Sequence, residues 1–230
     1  MPELNSETPT MDEATKALNR AGSLRITEIF FSLQGESSHA GRPCTFVRLS
    51  RCNLRCTWCD TPYSFTGGDR MSLDEIMARV DDYGCRLVEI TGGEPLLQPP
   101  VHDLMTRLCD EGYEVLIETS GSLDVSPIDE RVKIIMDLKA PGSGEVEKNL
   151  YENLQHLRAK DELKFVLLDR ADFDWACQTI REQDLLNHPT PLIFSPVHGE
   201  LDPGALAGWI LESGLPVRLG MQIHKYLHLP

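Results

Sequence analysis

The 230-residue sequence has no apolar run approaching the ~20 residues that a membrane-spanning helix needs. Nor does it show a positively charged leader followed by an apolar core. A soluble, cytoplasmic protein with no membrane partner is therefore expected. Basic residues are scarce: 22 Lys plus Arg stand against 36 Asp plus Glu, a formal net charge of -14. That balance repels phosphate backbones, and without a local basic patch it disfavours a nucleic-acid partner. A disulfide framework is disfavoured as well, because seven cysteines cannot all pair and a chain this long buries enough core to need no staples. The length suits one domain over residues 24–230. Residues 1–23 are polar and acidic, with a short helix pattern at 10–21, and read as a flexible N-terminal extension.

What is present is three thiols within eight residues. Cys52, Cys56 and Cys59 are spaced C-x₃-C-x₂-C directly after the apolar run 44–50, which reads as a buried strand. A short loop at a strand's end can aim three sulfurs at one point. A structural zinc site closes its coordination with four ligands, so a zinc reading must recruit Cys44, Cys85 or a histidine. A four-iron cluster held by three cysteines instead leaves one iron free for another ligand.

The rest of the chain alternates strand and helix patterns about six times. Alternating or continuous apolar runs at 24–30, 86–90, 113–117, 132–136, 163–167, 191–194 and 216–223 predict strands. Helices are expected from the capping-box pattern at 72–75 to Gly84, then at 101–109, 147–157, 175–183 and 203–211. This order argues for a parallel sheet with right-handed crossovers. The count is too low for an eight-fold barrel, so the expected fold is α/β, a partial, open (βα)₆ barrel trimmed in its later helices. The polar and glycine-bearing stretches fall just after strands, at the carboxyl edge where such sheets place their sites. At one of them, Thr91-Gly92-Gly93-Glu94-Pro95, two glycines bare the backbone and Glu94 adds an acceptor, so an ammonium group can be held by oxygens. Arg48, inside the apolar run 46–49, demands a partner of its own.

C-x₃-C-x₂-C followed one βα unit later by Gly-Gly-Glu-Pro resembles the radical S-adenosylmethionine (SAM) enzymes. In these the open iron chelates the amino and carboxylate groups of SAM, and one electron splits SAM to methionine and a 5′-deoxyadenosyl radical. Four further stretches narrow the resemblance: Phe31-Ser32-Leu33-Gln34-Gly35-Glu36, Cys59-Asp60-Thr61, Glu118-Thr119-Ser120-Gly121 and Met221-Gln222-Ile223-His224-Lys225-Tyr226. Together they resemble the 7-carboxy-7-deazaguanine synthase family over roughly residues 24–230.

The resemblance implies a lyase of queuosine and deazapurine biosynthesis. It would contract 6-carboxy-5,6,7,8-tetrahydropterin to 7-carboxy-7-deazaguanine with loss of ammonia, using a [4Fe-4S] cluster, SAM and Mg²⁺. It further implies cluster ligation by Cys52, Cys56 and Cys59 and a Mg²⁺ contact from the Thr61 hydroxyl. Pterin contacts would come from Leu33, Gln34, Gly35, Arg48, Thr91, His224 and the terminal carboxylate of Pro230. SAM contacts would come from Trp58, Gly93 and Glu94, from Asp137, Leu138 and Lys139, and from Ser195, Pro196, Val197 and His198. No side-chain catalyst is implied, since the SAM-derived radical takes the substrate hydrogen. Family members pair as homodimers and draw on an electron donor, of flavodoxin type or similar. Two departures stand out: relatives read Gln-Gly-Glu-Gly where this chain continues Ser37-Ser38-His39, and Ser-Pro-Lys where it has Asp137-Leu138-Lys139. Within the superfamily the competing reading is an activase that abstracts hydrogen from a glycine of a partner enzyme. Outside it, the competitor is a zinc-binding domain.

Overall fold

The computed structural model describes residues 22–230. The helix pattern at 10–21 lies outside them, as does the expected extension except for Gly22 and Ser23. Ser23 already pairs with Ser72 in the first strand. One nine-stranded sheet runs through the molecule in the order β3-β1-β2-β4-β5-β6-β7-β8-β9. Its strands are β1 (Ser23–Leu33), β2 (Pro43–Leu49), β3 (Asp69–Ser72), β4 (Leu87–Gly92), β5 (Glu114–Thr119), β6 (Lys133–Lys139), β7 (Glu162–Leu167), β8 (Leu192–Pro196) and β9 (Val217–Leu219). From β2 to β9 every neighbouring pair is parallel. β1 and the short β3, which the sequence patterning did not reveal, join antiparallel at one edge. Among the described residues nothing joins β3 to β9, so the sheet is an open, partial barrel.

The helices are α1 (Leu73–Asp81), α2 (Val101–Asp110), α3 (Arg170–Glu182), α4 (Pro203–Ser213) and α5 (Ile223–Leu227). α1 starts where its sequence demands: the Ser72 hydroxyl accepts from the Glu75 amide and the Glu75 carboxylate accepts from the Ser72 amide. Leu73, Ile76, Met77 and Val80 then bury one stripe. α3 begins earlier than expected because Asp169 caps it, accepting from the Asp172 amide.

The helix expected at 147–157 does not form. Short 3₁₀ turns at Val146–Lys148 and Tyr151–His156 take its place. Here polar side chains capture backbone groups that a helix would need. Asn149 exchanges two 2.9 Å bonds with the Lys139 backbone, and Asn153 bonds the Gly121 and Leu123 carbonyls and the Val125 amide. With no α-helix between β5 and β6 either, the trimming falls on the two middle crossovers, and helices return after β7 and β8.

The main core lies between sheet and helices. A second, small cluster of Cys44, Phe46, Leu87, Leu116 and Ile135 fills the barrel interior. The two-residue period of a strand puts Arg48, Glu89, Glu118 and Asp137 one step further along the same inward face. Lys164 is the register partner of Asp137. The apolar floor therefore carries a layer of charge. Beneath the floor, the segment after β1 crosses to β6 and β7, where Ser38 donates its amide to Glu162 and Lys133 pairs with Glu162 at 2.7 Å. No helix among the described residues is long and apolar enough to cross a membrane.

Candidate functional site

The loop after β2 is fixed from three sides. Its first residues are tied to the Gly-Gly-Glu turn, with Gly93 N donating to Leu49 O at 3.2 Å and Glu94 N to Arg51 O at 2.8 Å. Thr57 is held by Ser143 O and Gly142 O, and Asn53 by the Ser122 hydroxyl. Gly92 has φ +143, and a Cβ there would lie 2.2 Å from Leu49 O; a glycine is what lets the turn approach the loop this closely.

Cys52, Cys56 and Cys59 line one cavity of about 560 Å³ and none of them is paired in a disulfide. Burial pushes the Cys52 and Cys56 thiols above their usual range. Thr61, Trp58, Thr91, Gly93, Asp137, Lys139, Val197 and His198 line the same cavity. Burial works to lower Lys139, but Asp137 at 2.7 Å outweighs it and the ammonium is held charged. Of the expected SAM contacts, Glu94, Leu138, Ser195 and Pro196 are buried behind this wall. Glu94 is fully occupied there: its oxygens accept from the Thr119 and Ser120 hydroxyls, the Ser120 amide and the Leu96 amide, all within 3.1 Å. Within the Glu118-Thr119-Ser120-Gly121 stretch, Thr119 and Ser120 are thus the clamp on Glu94.

A second cavity of about 330 Å³ adjoins the first and is lined by Leu33, Gly35, Arg48, Thr61, Thr91, His224 and Pro230. Arg48 gives its Nε to Glu28 at 2.7 Å and lies over the Phe30 ring. Tyr63 donates to the same Glu28 carboxylate at 2.9 Å. Gln34 does not line this cavity. Its amide nitrogen is bonded to buried Glu89, and its oxygen accepts from the Glu36 amide.

The C-terminal segment bridges the mouth. Ile223 N donates to Gly35 O at 2.9 Å, Gln222 reaches Glu36 at 2.8 Å and Lys225 pairs with Asp60 at 2.7 Å. The Tyr226 ring meets His198 edge-on, and the Ser32 hydroxyl donates to Pro230 O at 3.3 Å.

Sequence reasoning missed the charged layer between the cavities. Lys164 pairs with Glu36 at 2.7 Å and lies 3.5 Å from Glu118. Burial works to raise the Glu36 carboxyl, but Lys164 and the bond from Gln222 hold it down at about 2. Burial, with Glu118 and Glu36 nearby, pushes Glu89 well up. Burial likewise lifts Glu118 to about 7 against the pull of Lys164. The available signal was a charged residue at an inward position of an apolar strand, the same signal that marked Arg48.

Comparison with known proteins gives a consistent result. The radical SAM superfamily matches residues 46–159. The 7-carboxy-7-deazaguanine synthase of Koribacter versatilis is 48% identical, over 90% of this chain and 98% of that protein. The enzyme of the same name from Chlorobaculum tepidum is 46% identical, over 90% of this chain and 95% of that one. Among solved structures, QueE from Escherichia coli superposes with a TM-score of 0.72, covering 90% of this chain and 97% of that one at 22% identity, a likeness of fold.

Proposed function

The chain belongs to the 7-carboxy-7-deazaguanine synthase family, and from that premise we propose that it contracts 6-carboxy-5,6,7,8-tetrahydropterin to 7-carboxy-7-deazaguanine with release of ammonia. The observation that carries this reading is the meeting of two cavities. One is walled by three thiols, the other by an arginine and the C-terminal segment, and Thr61 and Thr91 line both.

The donor set fits a [4Fe-4S] cluster with an open iron. Cys44 and Cys85 lie at the amino ends of β2 and β4, and Cys85 bonds Pro43 O. The loop that bears the three thiols follows the other end of β2, about 16 Å away at the rise of a strand. Neither cysteine is therefore in reach as a fourth ligand. Among the described residues no three His, Cys, Asp or Glu side chains converge as a single metal ion requires. When bound, the cluster and SAM supply one-electron cleavage and hence a radical that can take the substrate's hydrogen. SAM's methionine end would lie along Gly93, in the turn whose shape Glu94 fixes from behind. Trp58, Val197, His198 and Lys139 would line the rest of its cavity, with Asp137 restraining Lys139 and Leu138, Ser195 and Pro196 backing the wall.

The pterin would occupy the second cavity. Arg48 keeps its terminal N–H groups for a substrate carboxylate, since Glu28 takes only Nε and so aims the fork. Thr61, at the junction of the cavities, offers a neutral hydroxyl to Mg²⁺, which prefers hard oxygen ligands and keeps its waters. Leu33, Gly35, His224 and Pro230 would close around the ring, with Gln34 acting from behind by holding the loop to Glu89. The bridged mouth supports a small substrate over the glycyl loop of a partner enzyme, because a protein loop would need that mouth clear. All seven cysteines are unpaired, which supports a reducing cytoplasm. Leu211 and Leu219, exposed beside the open β9 edge, support a homodimer, and a one-electron donor of flavodoxin type completes the reading.

The test is direct. Anaerobically reconstituted protein is given SAM, reductant, Mg²⁺ and the carboxypterin, and the products are separated. Deazaguanine and ammonia in equal amounts, with SAM not consumed, are expected. Unchanged carboxypterin would end the assignment.

A further inference from the structure

We propose that Glu118 is the acid that protonates the departing nitrogen when ammonia leaves the contracted ring, a step that rests on the ring-contraction reading above. Glu118 takes no part in the clamp that Thr119 and Ser120 form on Glu94, and it lines both cavities. The other titratable side chains at that junction are committed. Glu36 is tied to Lys164 at 2.7 Å and to Gln222 at 2.8 Å, while Asp60 and Lys225 hold each other at 2.7 Å. Glu118 has a looser contact, 3.5 Å to Lys164, so its oxygens are open to whatever fills the junction.

Its surroundings also keep a proton within reach. From β4 it faces Glu89, from β6 Asp137, from β7 Lys164, and from the segment after β1 Glu36. Asp137 is neutralised by Lys139. That leaves three carboxyl groups, Glu36, Glu89 and Glu118, around the single ammonium of Lys164. Like charges in a poorly solvated space cannot all ionise. Burial and these neighbours put Glu118 at about 7, where a group can both give and retake a proton near neutral pH.

The step balances without any oxidant. The carbon–nitrogen bond breaks with both electrons going to nitrogen, and the Glu118 carboxyl supplies the proton that lets it depart as ammonia. The carboxylate then takes a proton from the neighbouring ring carbon as the five-membered ring becomes aromatic. The acid is restored, and no net proton is consumed.

The experiment uses Glu118→Gln in the reconstituted holoenzyme with SAM and the carboxypterin. Pterin binding should stay within about threefold, and hydrogen should still exchange between labelled substrate and SAM. Product formation should fall by about 10²-fold or more, the usual worth of a positioned acid. In the wild type, product formation should decline above about pH 7, and that limb should be missing from the Gln variant. Wild-type product formation that does not change across neutrality would overturn the proposal. So would turnover of the Gln variant near wild type, or loss of hydrogen exchange in parallel with product while pterin still binds. If the Gln variant does not fold, infrared difference spectra of wild type and Glu118→Asp take its place. A carboxylic acid band that titrates near neutrality and shifts in the Asp variant is expected, and its absence refutes the assignment. Failure of the wild type to convert carboxypterin at any pH would instead sink the ring-contraction reading itself.

Discussion

Gly35→Ala tests how the mouth of the site is held. A Cβ at residue 35 would lie 1.9 Å from His224 Nδ1, 2.6 Å from Cγ and 2.8 Å from Cβ. Rotating the imidazole moves the first two atoms away, but His224 Cβ does not move with its own χ1. The backbone of α5 must therefore shift. That shift strains the 2.9 Å bond from Ile223 N to Gly35 O and the 2.8 Å bond from Gln222 to Glu36. Overpacking of this kind costs about 1–3 kcal/mol, and each weakened bond about 1 kcal/mol. α5 buries none of its residues, so the global unfolding midpoint should hardly move. The cost falls on docking of the segment. If substrate binds only the docked form, about 2 kcal/mol weakens the pterin about 30-fold. Steady-state kinetics should show KM for the carboxypterin raised by that order with kcat little changed, and limited proteolysis should cut near residues 220–230 sooner. Unchanged KM together with faster proteolysis would refute the role given to this segment.

Other perturbations read other parts of the site. Glu94→Gln presents an NH₂ to the donors from Thr119, Ser120 and Leu96; each donor left unsatisfied should cost about 1–3 kcal/mol, read as a lower denaturant midpoint together with weaker SAM binding. Thr61→Ala should diminish the stimulation of turnover by Mg²⁺ while SAM binding is retained, and an unaltered metal dependence would remove Thr61 from the site. Glu36 has a folded carboxyl at about 2 against an ordinary 4.5, so its stabilising contribution is present above about pH 4.5 and is lost as pH falls towards 2. Glu36→Gln should flatten the acid-unfolding curve in that window, and an unchanged slope there would count against the Lys164 pairing.

Much of this was legible in the sequence because the chemistry sits at strand ends, where residue type and spacing survive in one dimension. C-x₃-C-x₂-C and Gly-Gly-Glu-Pro announce their loops, and the structure ties those two loops together through Leu49, Arg51, Gly93 and Glu94. The capping box at Ser72 was equally plain, since both of its hydrogen bonds are local. The helix expected at 147–157 was misjudged because Asn149 and Asn153 bond backbone 10 to 32 residues away, which apolar spacing does not report. The charged layer was hidden for a related reason. Glu36, Glu89, Glu118 and Lys164 lie far apart in the chain and meet only once sheet order and register are known. Gln34 shows the same limit, because its side-chain bonds to Glu89 and the Glu36 amide tie its loop to the charged layer, and spacing alone does not report them.

The most direct measurement of the central claim is electron-nuclear double resonance on the reduced, anaerobic protein with SAM labelled by ¹⁵N at its amino group and ¹⁷O at its carboxylate. Three-cysteine ligation with one iron open to SAM predicts hyperfine coupling of both labels to a [4Fe-4S] signal, lost when any of Cys52, Cys56 or Cys59 is changed to alanine. A colourless protein carrying zinc, or a cluster that senses neither label, would contradict the account.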